Sequence, residues 1–162
     1  MRLAVIADTH LPRGGRALPA ACREELVRAQ AIIHAGDLTS RAVLEELRGF
    51  GPPVWAVHGN ADDPWLRETL PKELVVELDQ VRLGVVHIPG PAAGRAARLV
   101  RRFPACDAVI YGHTHLPVIE RSAERWLLNP GSPTERRRGR FRSMLVVEIS
   151  GQLIEPRLLR LS

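Results

Sequence analysis

The sequence predicts an α/β protein whose first half is a βαβαβ unit on parallel strands and whose second half adds antiparallel strands. Three observations carry this expectation. Continuous apolar runs with β-branched members recur at 3–7, 31–34 and 54–57, the pattern of strands buried on both faces. The segments 19–30 and 40–50 between them place Leu and Val at helical spacing. Further on, the strand-like runs 74–78 and 81–86 are separated only by Asp79-Gln80, a spacing that suits a hairpin.

Each element follows from local signals. The run 3–7 is the first strand, and Pro19 stands near the start of the first helix. The second strand covers 31–34, and the helix after it stops at Gly49, Gly51 and Pro52. With the third strand at 54–57, the βαβαβ order demands parallel pairing through right-handed crossovers. After the hairpin comes a helix over 92–103, then strand-like segments at 108–111, 118–121, 126–128, 144–149 and 153–159. No internal repeat or low-complexity linker divides the chain, so one domain over 1–162 is expected.

Composition narrows the function classes. At 162 residues with 45% apolar content, the chain can bury enough surface to fold without a disulfide or structural metal. Cys22 and Cys106 lie far apart and no signal-like apolar region precedes the first strand, so a reduced, cytoplasmic protein is expected. No apolar stretch approaches the roughly 18 residues of a membrane span. The formal charge is +5, and all but one of the 23 basic residues is arginine. Arginine favours bidentate contact with phosphate, so an anionic substrate or partner fits.

The chemistry collects at strand ends, where α/β sheets place their ligands. The first strand runs into Asp8-Thr9-His10, the second into Gly36-Asp37 and the third into Gly59-Asn60-Ala61-Asp62. Later strands end at His87 and at Gly112-His113-Thr114-His115. Alternate residues of an extended segment point the same way, so Asp8 with His10, and His113 with His115, can each approach one site together. Mixed nitrogen and oxygen donors of this kind suit Mn, Fe, Co, Ni or Zn better than Mg or Ca.

This ordered series, D-x-H, G-D, G-N, H and G-H-x-H, resembles the calcineurin-like metallophosphoesterases. The segment Asn129-Pro130-Gly131-Ser132 is similar to their small prokaryotic YfcE-type phosphodiesterase branch, itself similar to the retromer scaffold subunit Vps29. The resemblance spans residues 3 to about 149 and implies a four-layer α/β/β/α sandwich of two mixed sheets. It implies two divalent metal ions, Mn foremost, with Ni, Fe, Zn or Co as alternatives. One would be held by Asp8, His10 and His115 and the other by Asn60, His87 and His113, with Asp37 shared. It further implies that water bridging the ions attacks phosphorus in line, making Asp37, Asn60 and Asp62 the expected catalytic residues. Asp62 is expected to orient His10 or Asn60 by hydrogen bonding.

Two departures from the family pattern stand out. Ala61 occupies a position where many members carry a histidine that assists the leaving group, and Ile88-Pro89-Gly90-Pro91 follows His87 where many continue with glycine and histidine. Arg13 and Arg16, near the first strand's end, are expected beside the substrate phosphate. Arg95, Arg98 and Arg102 share a helix face, and Arg136 to Arg138 form a basic loop. His34 and His58 are expected to be buried, hydrogen-bonded histidines. With only seven aromatic residues and none interleaved among the loop arginines, a small phosphate ester is the expected substrate, and nucleic acid has little support. The rival readings are a Vps29-like interaction scaffold and a nuclease; a complete set of seven ligands favours catalysis.

Overall fold

The computed structural model describes residues 1–137 and 139–161. In the first sheet, β1 (Arg2–Ile6), β2 (Ala31–His34) and β3 (Val54–Ala56) run parallel, with Leu3 opposite Ala31 and Ile32 opposite Val54. β9 (Arg142–Ser150) joins β1 antiparallel and β10 (Leu153–Leu161) pairs with β9, giving the order β10-β9-β1-β2-β3. The second sheet has the order β4-β5-β6-β8-β7, built from β4 (Glu73–Leu78), β5 (Val81–Val86), β6 (Ala108–Tyr111), β7 (Val118–Ser122) and β8 (Arg125–Asn129). Its central strands β5, β6 and β8 are parallel, while β4 and β7 pair antiparallel at its edges.

Alternation along β1 shows how the layers form. Leu3, Val5 and Ala7 enter the core between the sheets, where they join Leu83, Val85 and Ile110. Ala4 and Ile6 face the other way, into a second core beneath α1 (Ala20–Arg28) and α2 (Arg41–Arg48) with Leu26, Leu44 and Leu47. A third core joins Val86, Val109 and Tyr111 to Leu99 and Phe103 of α4 (Arg95–Arg102) and its C-terminal end. The result is the four-layer α/β/β/α sandwich. Double-sided burial explains why β1 and β2 read as unbroken apolar runs.

The hairpin has the expected two-residue connection, with Leu78 opposite Val81 and Asp79 at φ 56°. The structure adds α3 (Pro64–Thr69), which periodicity does not reveal because six residues are too few to show a helical stripe. Its signal is chemical: the Asp63 carboxylate accepts the Leu66 N–H at 2.8 Å and Pro64 fills the first turn. The expected helix over 92–103 begins only at Arg95, after Gly94 turns the chain at φ 68°. Cys22 and Cys106 are free and buried, and burial pushes the Cys22 thiol up to about 12, so it stays protonated near neutral pH. Among the described residues no helix is long and apolar enough to cross a membrane.

Candidate metal centre

The loops after β1, β2, β3, β5 and β6 meet at one end of the sandwich and bring the seven sequence-predicted donors together. Asp8 is fully buried; its Oδ2 accepts the His113 backbone N–H at 2.9 Å, while Oδ1 has no hydrogen-bond partner. That free oxygen lies 3.3 Å from His115 Nε2 and 3.9 Å from His10 Nε2, and the two imidazole nitrogens face each other at 3.3 Å. Asp37 Oδ2 sits between two histidines, 3.4 Å from His10 Nε2 and 3.3 Å from His87 Nε2, while its Oδ1 accepts the Ala61 N–H at 2.8 Å. His87 donates from Nδ1 to the Ala35 carbonyl at 2.8 Å, which turns Nε2 toward Asn60 Oδ1 at 3.1 Å. His113 Nδ1 approaches the same Asn60 oxygen at 2.9 Å.

This arrangement fits divalent cations. Among the described residues, the side-chain ion-pair partners of Asp8 and Asp37 are all histidines, so two buried carboxylates face imidazoles without any lysine or arginine. Buried charge without a counter-charge is strongly unfavourable. The donor atoms of Asp8, His10 and His115 lie within 4.8 Å of one another, as do those of Asp8, Asp37 and His87. Asp8 thus borders both sets, where the resemblance implied it for one. The field also favours positive charge: burial opposes charge on His87, yet its hydrogen bond to Asp37 and the nearby Asp8 raise it above the ordinary histidine range. Burial likewise opposes charge on Asp37, but His87, the Ala61 amide and His10 together hold its carboxyl down at about 2.

The backbone accomplishes what strand alternation was expected to do. Asp8, His10, Asp37, His113 and His115 have φ between 44° and 70°, in the left-handed region that Asp and His tolerate better than most side chains. In these turns His113 goes to Asn60 and His115 to Asp8 and His10, rather than both to one point. Close approach explains Gly59: a Cβ there would collide with the Asp37 carboxylate.

Asp62 does not reach the side chains of His10 or Asn60. Its carboxylate instead accepts the backbone N–H groups of Thr39 and Gly59, both at 2.6 Å, and of Asp37 at 3.2 Å, clamping the loops after β2 and β3. Asn129-Pro130-Gly131-Ser132 acts similarly: Ser132 Oγ donates to the Asp8 carbonyl at 2.7 Å, and Asn129 Nδ2 donates to the Gly112 carbonyl at 3.2 Å.

Glu135 is a residue that the sequence pattern does not single out. Its Oε2 lies 3.5 Å from His115 Nδ1, and its carboxylate pairs with Arg16 and, at 2.7 Å, with Arg137. Arg16 is thereby held on Glu135 rather than left free for a phosphate, and Arg13 sits exposed in a short 3₁₀ turn. Arg138 lies outside the described residues. The Arg95, Arg98 and Arg102 face divides: Arg95 and Arg98 donate to loop carbonyls of Gly90 and Pro89, and Arg102 pairs with Glu73 at 2.5 Å.

His34 is fully buried as expected, with Nδ1 accepting the Gly36 N–H and Nε2 donating to Thr9 Oγ1, both at 3.1 Å. Burial, which disfavours the imidazolium, lowers its pKa to about 3. Because the unfolded chain protonates near 6.5 and the folded protein does not, stability is fully present above 6.5 and falls with pH toward 3. The urea midpoint is expected to drop between pH 7 and 5 by the equivalent of about 2 kcal/mol more than in His34→Gln. Parallel curves for the two proteins would refute this. His58 departs from expectation: it is half-buried, its Nδ1 has no hydrogen-bond partner, and it borders a cavity beside Asn60 and His87.

Fold and centre together define a class, the α/β/β/α sandwiches that gather histidine, carboxylate and amide donors at strand ends. Residues 1–152 match the family model of the calcineurin-like phosphoesterase superfamily domain. The chain is 35% identical to a probable metallophosphoesterase of Methanothermobacter thermautotrophicus, covering 99% of this chain and 92% of that protein. It is 26% identical to a phosphodiesterase of Methanocaldococcus jannaschii, covering 81% and 83%. The fold resembles that of the zinc complex of Vps29 from Entamoeba histolytica, with TM-score 0.78, 22% identity and 99% coverage of each chain. The chain belongs to the calcineurin-like phosphoesterase superfamily.

Proposed function

We propose that this chain is a divalent-metal-dependent phosphodiesterase that hydrolyses a small phosphate ester. The observation that carries the reading is Asp37 Oδ2, a buried carboxylate oxygen placed between His10 of one donor set and His87 of the other. Two cations, Mn²⁺ or another first-row ion, held by Asp8, His10 and His115 and by Asn60, His87 and His113 with Asp37 shared, would activate water and neutralise the phosphoryl oxygens. The chain's own groups set the rest. The Ala61 N–H fixes the Asp37 carboxylate, and the Ala35 carbonyl fixes the ring of His87. Hydrolysis adds water across one P–O ester bond and releases an alcohol or phenol. Ala61 has no proton to donate to the leaving group.

General acid catalysis is worth about 10²- to 10⁴-fold, so turnover of bis(p-nitrophenyl) phosphate is expected to exceed that of glycerol phosphate by at least about 10²-fold. The assay uses chelator-stripped protein resupplied with Mn²⁺, Ni²⁺ or Zn²⁺. Robust cleavage of the alkyl monoester would contradict the role given to Ala61. The structural likeness to Vps29 supports a second reading, an interaction scaffold; binding of two ions with no turnover of any ester would favour it.

A further inference from the structure

A cavity of about 440 Å³ opens beside Asn60 and His87, and its wall carries basic side chains beside apolar ones. Arg67, Lys72 and Arg98 line it, and none of the three pairs with a carboxylate among the described residues. The Arg67 guanidinium donates to the Asn60 carbonyl, and that of Arg98 donates to the carbonyls of Pro89, Pro91 and Ala93. Both therefore keep their full charge. Arg102 at the cavity's edge, by contrast, pairs with Glu73. His58 borders the cavity, and Val86, Ile88 and Pro89 supply an apolar side.

We propose that this cavity receives a second phosphate group of the substrate, so that preferred substrates are phosphodiesters in which one ester substituent carries a further phosphate. The inference rests on the hydrolase reading and names its substrate class. A diester at the centre carries one negative charge, and a terminal phosphate adds about 1.5 to 2 more, which three uncompensated cations match. The volume lies within the range of small-molecule sites, enough for a pentose bearing that phosphate, and the Ile88 and Pro89 wall can cover the sugar or base. Three cations beside an apolar wall discriminate between substrates that share a scissile bond and differ in remote charge. The basic residues doing so are not the Arg13 and Arg16 pair expected from the sequence.

Matched substrates test this. With saturating Mn²⁺, the p-nitrophenyl ester of thymidine 5′-phosphate is compared with the same ester carrying a 3′-phosphate. The bisphosphate is expected to show kcat/KM higher by about tenfold or more, the worth of one good charge-assisted contact, and Lys72→Gln is expected to shrink that ratio at least about threefold. Calorimetric titration of metal-free wild-type protein with thymidine 3′,5′-bisphosphate and with thymidine 5′-phosphate reads the cavity without turnover, and the bisphosphate is expected to bind about tenfold tighter. Equal kcat/KM for the two esters would overturn the cavity assignment and leave the hydrolase intact. Failure to cleave either ester would overturn the hydrolase reading, and the calorimetric comparison would then decide the cavity alone.

Discussion

Replacing Asp37 with alanine is expected to lower kcat/KM for bis(p-nitrophenyl) phosphate by about 10³-fold or more, the scale on which removal of a preorganised electrostatic group acts. The residue lies where the two donor sets meet, 3.4 Å from His10 Nε2 and 3.3 Å from His87 Nε2, so under the proposed two-cation reading its loss affects both positions at once. Calorimetry with Mn²⁺ is expected to show the stoichiometry fall from two ions to at most one. Asp37→Asn should lose nearly as much, because it keeps the shape and removes the charge that a cation needs. Folding should suffer modestly: the hydrogen bonds lost, to the Ala61 N–H and to His87, are each worth about 1 kcal/mol. Wild-type hydrolysis by the alanine variant would remove the basis of the dinuclear reading.

Asp62→Ala is expected to act in the opposite sense, chiefly on stability. Its carboxylate satisfies the N–H groups of Asp37, Thr39 and Gly59, and it is 3% exposed. Leaving such donors unsatisfied costs about 1 to 3 kcal/mol each, and partial access of water to the vacated space brings the total to about 3 to 5 kcal/mol. Urea unfolding of metal-free protein measures it, as a lowered midpoint with an unchanged slope. Asp62→Asn should recover only part of the loss, since its NH₂ must face at least one of the backbone donors that the carboxylate accepts. A midpoint within about 1 kcal/mol of wild type would show that the loops after β2 and β3 hold their shape without the clamp. The contrast separates two aspartates that look alike in sequence: Asp37 faces the histidines of the centre, and Asp62 clamps the backbone of the loops after β2 and β3.

The core strands and the donor identities were legible because both are local. Burial on two faces writes itself into β1 from Leu3 and into β2 up to Ile33 as unbroken apolar residues, and the turn before β5 is marked by its two-residue length. His87 could be read as a donor from its place at a strand end, but only the Ala35 carbonyl at 2.8 Å shows why its ring faces the centre. Glu135 was not legible, since it is one glutamate in an arginine-rich loop until the fold carries it to 3.5 Å from His115. The pairing of Arg16 with Glu135 was hidden for the same reason, its partner lying 119 residues away.

By itself, then, the sequence determined the α/β class, the strand ends that carry chemistry and the kinds of donor gathered there, since hydrophobic period and side-chain type are properties of a residue and its near neighbours. Only the tertiary structure decided which donors face one another, which carboxylate clamps backbone rather than facing the centre, and which arginines keep their charge free. Those outcomes depend on left-handed turns at Asp8, His10, Asp37, His113 and His115 and on pairings between residues far apart in the chain. Neither leaves a periodic trace in the order of residues.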